Sequence, residues 1–373
     1  MAIPARIRLL IAVSVLGACA RQQQQGAVPL RDGAAAPEGT GGSSEGGSGG
    51  GVSGGGVSGG GGAPADVAIT PIDVGVTAID VAPSGVPPSA DGDEVPDRPL
   101  AADRTNPQLY ATRFKPSDAD PMTKGRDEVQ TALVDTSKPL LGKLVVVLSG
   151  TNGSPGPGEV ASFAAGLGFH AYAMAYHNEW NPSTQNNADV FGNSRFNELD
   201  GMGRTPAMVT VTRADSVEER VARALAYLQT KNAAGDWSYF LDKGGQVRWS
   251  DVVFIGHSHG ATSSAAYAKK HRLWRAISLS GPRDTNPVVA TWLRMPSATP
   301  IERYYGFTGT TDAQHPDHIK AMEVMGYLGT LTPVEGAQPP FQNSHRLQYN
   351  GGHGGSASCA TYAAVCKYML GVP

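Results

Sequence analysis

The stretch Asp251-Val-Val-Phe-Ile-Gly-His-Ser-His-Gly260 decides the fold of this chain. After Asp251, Val252-Val-Phe-Ile255 form a short apolar run typical of a buried strand, and the small residues Ala261-Thr-Ser-Ser-Ala-Ala266 favour a helix. A strand that turns sharply into a helix strains the backbone at the intervening serine and leaves no room for side chains at Gly256 and Gly260. The pattern therefore predicts a nucleophile elbow with Ser258 at its tip. The competing interpretation is a tight strand-to-helix turn whose serine only caps the helix.

Strands and helices alternate outward from this elbow. Such alternation predicts an α/β fold, with a mainly parallel central sheet and helices on both faces. The catalytic groups of such sheets gather at the carboxyl ends of the strands, where Ser258 lies. The strands are expected at 108–114, 128–134, 143–148, 169–176, 249–255, 274–280, 302–307 and 346–349, and the helices at 159–166, from 216, and at 259–271, 286–293, 316–325 and 358–370.

The composition divides the 373 residues unevenly. Residues 19–103 are first Gly/Ser-rich and then Pro-rich, and contain too few large apolar side chains to offset their chain entropy. We expect a disordered linker there and a single domain at 104–373. The net charge of −3 and the lack of a basic run argue against a nucleic-acid partner. The stretch 177–214 is polar without a clear period, and forms either a small cap above the site or a surface insertion.

The N-terminus has the layout of a secretory signal. Arg6 and Arg8 precede a short apolar run, Leu9 to Leu16, which ends in Leu16-Gly-Ala-Cys19. This ending resembles a bacterial lipobox, so we expect residues 1–18 to be removed and Cys19 to carry a lipid that anchors the protein to a membrane. An ordinary signal peptide with an incidental cysteine is the alternative, in which case the protein is secreted.

The other two cysteines, Cys359 and Cys366, stand seven positions apart. On one helix that spacing separates them by roughly 10 Å, too far for a disulfide. We expect them to be unpaired unless Cys359 lies before the helix.

The order of elements over roughly 105–373 resembles the α/β-hydrolase superfamily, whose lipases and esterases carry the same elbow. More narrowly, the segments Arg195–Gly201, Gly235–Trp237 and Trp249–Gly260 look like a bacterial branch of that superfamily with no assigned substrate. The resemblance implies a Ser-His-Asp triad in the chain order serine, acid, histidine, without cofactor or metal. It also implies an oxyanion hole made by the amide of His259 and by Thr151 or Gly150 in the loop after the 143–148 strand.

The acid of the triad is expected to be Asp312, in a Gly/Thr turn at the carboxyl end of a strand. Asp284, one strand earlier, is the first alternative, and Asp317, next to Pro316 at a helix start, is the second. The pair His315 and His318 is more typical of surface or capping histidines than of a metal site.

Two histidines after the acid, His345 and His353, are the candidates for the base, and strand direction distinguishes them. His345 precedes the short strand at 346–349, so it stands at the edge of the sheet opposite the site. His353 follows that strand within Asn350-Gly-Gly-His-Gly-Gly355 and is therefore expected to be the base.

Together these features predict a secreted or lipid-anchored serine hydrolase that cleaves a carboxylic ester of a small molecule or polymer. A peptidase, a thioesterase and an acyltransferase of the same fold remain open, as does a non-catalytic surface lipoprotein that binds a ligand. The sequence does not predict the oligomeric state.

Overall fold

The computed structural model describes residues 94–155, 158–181 and 186–373. The predicted signal peptide, Cys19 and most of the predicted linker lie outside the described residues. None of the helices in the described ranges is long and apolar enough to cross a membrane.

A mixed sheet organises the described residues, with the strand order β1-β2-β4-β3-β5-β6-β7-β9-β8. The first strand pairs antiparallel with the second, and the second antiparallel with the fourth; the other pairs are parallel. The mainly parallel sheet predicted from the sequence is thus observed. The strands are β1 Leu109–Phe114, β2 Gln130–Asp135, β3 Leu144–Leu148, β4 His170–Ala173, β5 Val252–His257, β6 Arg275–Leu279, β7 Tyr304–Gly309, β8 Thr332–Pro333 and β9 Arg346–Tyr349.

Helices cover both faces of this sheet. On β3, Val146 packs in one apolar cluster, while Val145 and Val147 pack in the other, as expected for a strand buried on both faces. Helices α4 and α5 supply the first cluster, and α2 and α7 the second. The helices are α1 Pro116–Ala119, α2 Gly158–Gly166, α3 Ala188–Asp200, α4 Val217–Lys231, α5 His259–Lys270, α6 His315–Met325 and α7 Ala363–Leu370.

The domain begins earlier than the sequence predicts. Residues 94–103, expected to be linker, lie against the domain through specific polar contacts. Arg98 makes a two-point ion pair with Asp236, whose carboxylate also accepts the amide of Ala101. The amide of Glu94 donates to Ser250 Oγ at 3.0 Å. The boundary at 104 is therefore too late by at least ten residues.

Two helices differ from expectation. The stretch 177–214 contains α3, which the sequence did not reveal. The helix expected at 286–293 is absent, and only a short 3-10 turn, Thr291–Arg294, forms at its end.

For the two cysteines, the exception stated with the expectation applies, and they are paired. Helix α7 begins at Ala363 rather than at residue 358, so Cys359 lies before it. The Cα atoms of Cys359 and Cys366 then come within 5.7 Å, and the two side chains form a disulfide.

Candidate active site

The elbow has the strained geometry that its sequence requires. Ser258 stands between the end of β5 and the start of α5 with φ 57° and ψ −113°. A Cβ at Gly256 would lie 2.1 Å from the carbonyl oxygen of Gly260, and one at Gly260 would lie 2.4 Å from that of Leu148. Both positions therefore exclude any side chain. The amide of Ser258 donates to the carbonyl of Leu279 at 2.9 Å, which fixes the turn to β6.

A second pair of predicted residues meets at the same edge of the sheet. Asp312, just after β7, accepts a hydrogen bond from Nδ1 of His353, just after β9, at 2.6 Å. The carboxylate is nearly buried, with 4% of its side chain exposed, while 33% of the imidazole is exposed. The arrangement fixes the tautomer of His353 and leaves its Nε2 as the proton acceptor.

The surroundings of Asp312 favour its charged form. Burial raises the pKa of this carboxyl, but the amide of Gln314, which donates to Oδ1 at 2.9 Å, and His353 outweigh burial. The net pKa lies below the usual value for aspartate. Asp312 is therefore ionised at neutral pH and able to stabilise an imidazolium.

The glycine-rich loop that carries His353 is anchored through its backbone. The carbonyl of His353 accepts from Nε2 of His257 at 2.9 Å and from the hydroxyl of Ser280 at 2.6 Å. The rings of His257 and His353 meet edge to face, with centroids 5.0 Å apart. Because His257 precedes Ser258, these contacts bring the loop beside the elbow.

The described structure does not form the hydrogen bond expected between Ser258 and His353. Within the described ranges, no hydrogen bond joins Ser258 Oγ to His353. Catalytic hydrogen bonds are often long or misaligned before substrate binds. The structure thus brings two of the three residues into contact and places the third next to their loop.

The alternative candidates for the acid and the base are bonded to groups outside the proposed triad. Asp284 is buried in an ion pair with Arg195 and also accepts from the indole of Trp292 at 3.0 Å. Asp317 pairs with Arg283 at 3.1 Å. His345 donates to the carbonyl of Tyr304, before the site end of β7.

The candidate oxyanion loop lies against the elbow. A Cβ on Gly150 would come within 3.2 Å of the Ser258 Cβ, and Thr151 lines the same cleft as Ser258. In the described part of the chain, neither the amide of Thr151 nor that of His259 has an acceptor. Both amides remain available to a substrate oxygen.

Asn178 is a supporting residue that the sequence did not single out. Its side-chain amide donates to the carbonyl of Gly150 at 2.6 Å and to Ser149 Oγ at 2.9 Å, and its backbone carbonyl accepts from the backbone amide of Asn152. These bonds hold the loop after β3 in one conformation. The only sequence signal was the abundance of asparagine after β4.

A buried polar network underlies His259. Its Nε2 lies 2.9 Å from Arg195 Nη1 and 3.1 Å from Glu198 Oε2, both on α3. Ser263 donates to Glu198 Oε1 at 2.8 Å, and the indole of Trp180 donates to Oε2 at 2.8 Å. The sequence pointed to this helix only through the resemblance carried by Arg195–Gly201.

This network sets the charges next to the elbow. Burial raises the pKa of Glu198, but the combined effect of His259, Arg195 and Tyr267 is larger and lowers it. The net pKa is therefore below the usual value for glutamate. Burial and the neighbouring Arg195 lower the pKa of His259. A carboxylate and a neutral imidazole therefore accompany the Arg195 cation behind the candidate oxyanion hole.

His318 is buried rather than at the surface. Its Nδ1 lies 2.8 Å from Thr308 Oγ1 and 3.9 Å from Asp312 Oδ2, while His315 contacts the same threonine. Burial lowers the pKa of His318 to about 3, so the ring is neutral beside the acid. Among the described residues, no three His, Cys, Asp or Glu side chains are grouped as metal ligands.

The cleft beside Ser258 is small, with a volume of about 80 Å³, and is open to solvent. Asn181 and Arg195, from the stretch 177–214, line it together with Thr151 and Gln314. Part of this stretch therefore contributes to the wall of the site.

Comparisons with known proteins give likenesses of fold. No protein-family model matches the sequence, and no curated protein matches it. A Coxiella burnetii α/β serine hydrolase homologue is 13% identical with a TM-score of 0.37, over 68% of this chain and 95% of that one. The esterase Est2 of Thermogutta terrifontis is 15% identical with a TM-score of 0.34, over 68% and 89%.

A Xanthomonas campestris α/β serine hydrolase without a lid is 11% identical with a TM-score of 0.34, over 73% of this chain and 96% of that one. At such identities and TM-scores the chemistry must be argued from the site itself. The strand order and the strand-turn-helix at Ser258 carry the assignment of architecture. By these features, the chain has the α/β-hydrolase fold.

Proposed function

We propose that this protein is a serine hydrolase that cleaves a carboxylic ester into an acid and an alcohol. The observation that carries the proposal is the 2.6 Å bond between Asp312 and His353, on a loop anchored beside the strained Ser258. Strain of this kind is stored at functional sites, and a turn that only capped a helix would not require it.

The proposed reaction proceeds through an acyl-enzyme. Ser258 Oγ attacks the ester carbonyl as Nε2 of His353 takes its proton, and the same proton then passes to the departing alcohol. Water, deprotonated by His353, then attacks the acyl carbonyl; the bond from Ser258 Oγ to the acyl carbon breaks, His353 returns the proton to Oγ, and the acid is released. Asp312 holds the imidazole and offsets its positive charge in both steps.

The amides of His259 and Thr151 are proposed to bind the oxyanion. Such donors stabilise the transition state only if they are already oriented. Arg195, Glu198 and Trp180 hold the His259 side chain, and Asn178 holds the loop of Thr151, which supports preorganisation of both donors.

We also propose that the protein acts outside the cytoplasm, attached through Cys19 to a membrane. The disulfide between Cys359 and Cys366 supports an oxidising compartment, because such bonds rarely persist among reduced cytosolic thiols. Cys19→Ala should move the protein from the membrane fraction to the soluble fraction. Unchanged partition would remove the anchor from the proposal.

The test of the catalytic proposal is turnover of 4-nitrophenyl acetate by single and double variants. Ser258→Ala and His353→Ala should each lower kcat on the order of 10³-fold or more, and the double variant should be little worse, because the two residues act as a unit. His345→Ala is the matched control, since its imidazole bonds to the Tyr304 carbonyl. Undiminished turnover by Ser258→Ala would refute Ser258 as the nucleophile, whereas a folded wild-type protein without turnover would leave a ligand-binding protein as the better account.

A further inference from the structure

The cleft beside Ser258 is polar on every described side. All nine described residues that line it carry a polar or charged side chain. A long hydrocarbon chain would gain little there from burial and would strip water from groups that it cannot pair. The lining therefore favours a hydrophilic substrate.

Two arginines line the cleft, and only one has donors to offer. Each nitrogen of Arg195 has a partner within the protein: Nε and Nη2 donate to Asp284, both at 3.2 Å, and Nη1 donates to Ser263 at 3.0 Å and lies 2.9 Å from His259 Nε2. With 2% of its side chain exposed, it supports the structure and does not bind a ligand.

Arg283 differs from Arg195 in this respect. Its Nε donates to Asp317 Oδ2 at 3.1 Å, and its backbone amide donates to Thr262 Oγ1 at 3.1 Å. In the ranges that the structure describes, its two terminal nitrogens have no acceptor. Asp317 is not among the lining residues, so the carboxylate holds the guanidinium from outside the cleft. The side chain is 24% exposed and accessible to a ligand.

A guanidinium held at Nε presents its terminal N–H groups as a planar fork, which matches the two oxygens of a carboxylate. Gln314 and Thr262, on the same cleft, can add neutral hydrogen bonds. We propose that the substrate is an ester that carries a free carboxylate, and that Arg283 is the residue that selects it. This inference rests on the proposed function and names its substrate class.

The test compares esters that differ only in the anion. On the acyl side, the mono-4-nitrophenyl ester of glutaric acid is paired with 4-nitrophenyl pentanoate; on the alcohol side, 4-acetoxybenzoate is paired with its methyl ester. Rates are corrected for hydroxide-catalysed hydrolysis. The wild-type protein should prefer the anionic member of at least one pair in kcat/KM by about 10-fold to 100-fold, the range for a charge-assisted hydrogen bond.

Arg283→Met should abolish that preference, and Arg283→Lys should restore only part of it, because an ammonium lacks the fork. Arg294→Met, at an exposed arginine outside the cleft lining, is the matched control and should keep the preference. Glutarate should slow labelling of Ser258 by a fluorophosphonate in the wild-type protein and not in Arg283→Met.

Two outcomes would overturn the inference while the proposed function stands. One is equal turnover of both members of each pair by the wild-type protein; the other is an anion preference that survives in Arg283→Met. If instead no ester is cleaved and Ser258 is not labelled, the proposed function itself fails and takes the substrate class with it.

Discussion

Replacement of Asp312 by asparagine tests whether Asp312 or Asp284 is the acid of the triad. The asparagine would keep the size of the side chain and could still accept the Gln314 amide through its carbonyl oxygen. Its amide group cannot accept the Nδ1 proton of His353 as the carboxylate does at 2.6 Å. The imidazole would then adopt the wrong tautomer, with its proton on Nε2 facing the serine.

The expected magnitude follows from this change of tautomer. In a serine protease, the same substitution lowers kcat about 10⁴-fold, and each decade corresponds to about 1.36 kcal/mol of activation free energy. Asp312→Asn should therefore lose roughly 5 kcal/mol of transition-state stabilisation. The loss of one charge-assisted hydrogen bond should cost folding only about 1.5–3 kcal/mol.

The assay combines kcat for 4-nitrophenyl acetate with urea unfolding. Asp284→Asn is the comparison, and it should show the opposite pattern. It breaks a fully buried pair with Arg195, which should cost about 3–5 kcal/mol of stability, while the folded fraction keeps far more of its turnover. If Asp284→Asn is folded but inactive while Asp312→Asn turns over normally, the assignment of the acid is wrong.

Three further variants test the surroundings of the site. His257→Ala should lower kcat about 5–10-fold, because the loop of His353 loses a donor of roughly 1 kcal/mol, and His257→Gln should recover part of the loss; equal rates in both would remove this anchoring role. Cys359→Ser should reduce the free energy of unfolding by about 2–3 kcal/mol through the lost loop closure, and an unchanged urea midpoint would show that the bond does not constrain the unfolded chain. Burial lowers the pKa of His170 from 6.5 to about 4. The free energy of unfolding should therefore be at its full value above pH 6.5 and fall by roughly 3 kcal/mol as the pH drops through 4. His170→Gln should reduce this dependence of stability on pH, and an unchanged dependence would contradict the role of His170.

The elbow was predictable because its backbone geometry allows few residue types at each position. The backbone turn at Ser258 brings Gly256 and Gly260 into van der Waals contact with other backbone atoms, so the glycines appear in the sequence at fixed spacing. The preference for His353 over His345 followed from strand direction alone. The structure places these two histidines at the ends of β9 that the sequence indicated.

Helix α3 was missed because it lacks an apolar stripe. Its residues Arg195 and Glu198 are buried, yet their polar groups bond to partners distant in the chain, such as Asp284 and His259. A search for hydrophobic periodicity cannot recognise a helix that is buried through polar contacts.

The predictions of the cysteine pairing and of the domain boundary differ from the structure for related reasons. The chain between Ser358 and Tyr362 is composed like a helix start but is not helical, so the predicted spacing of the cysteines was too long. Residues 94–103 have the composition of a linker, yet Arg98 and Ala101 converge on the single carboxylate of Asp236. Contacts between residues far apart in the chain are not encoded in local composition.

The most direct test of the central claim is the mass of the protein after reaction with a fluorophosphonate. An activated serine forms a covalent adduct, whereas a serine that only caps a helix does not. We predict a single adduct that maps to the peptide containing Ser258, with labelling that is lost in Ser258→Ala and slowed in His353→Ala. A folded wild-type protein that takes up no adduct, or an adduct that persists in Ser258→Ala, would contradict the account.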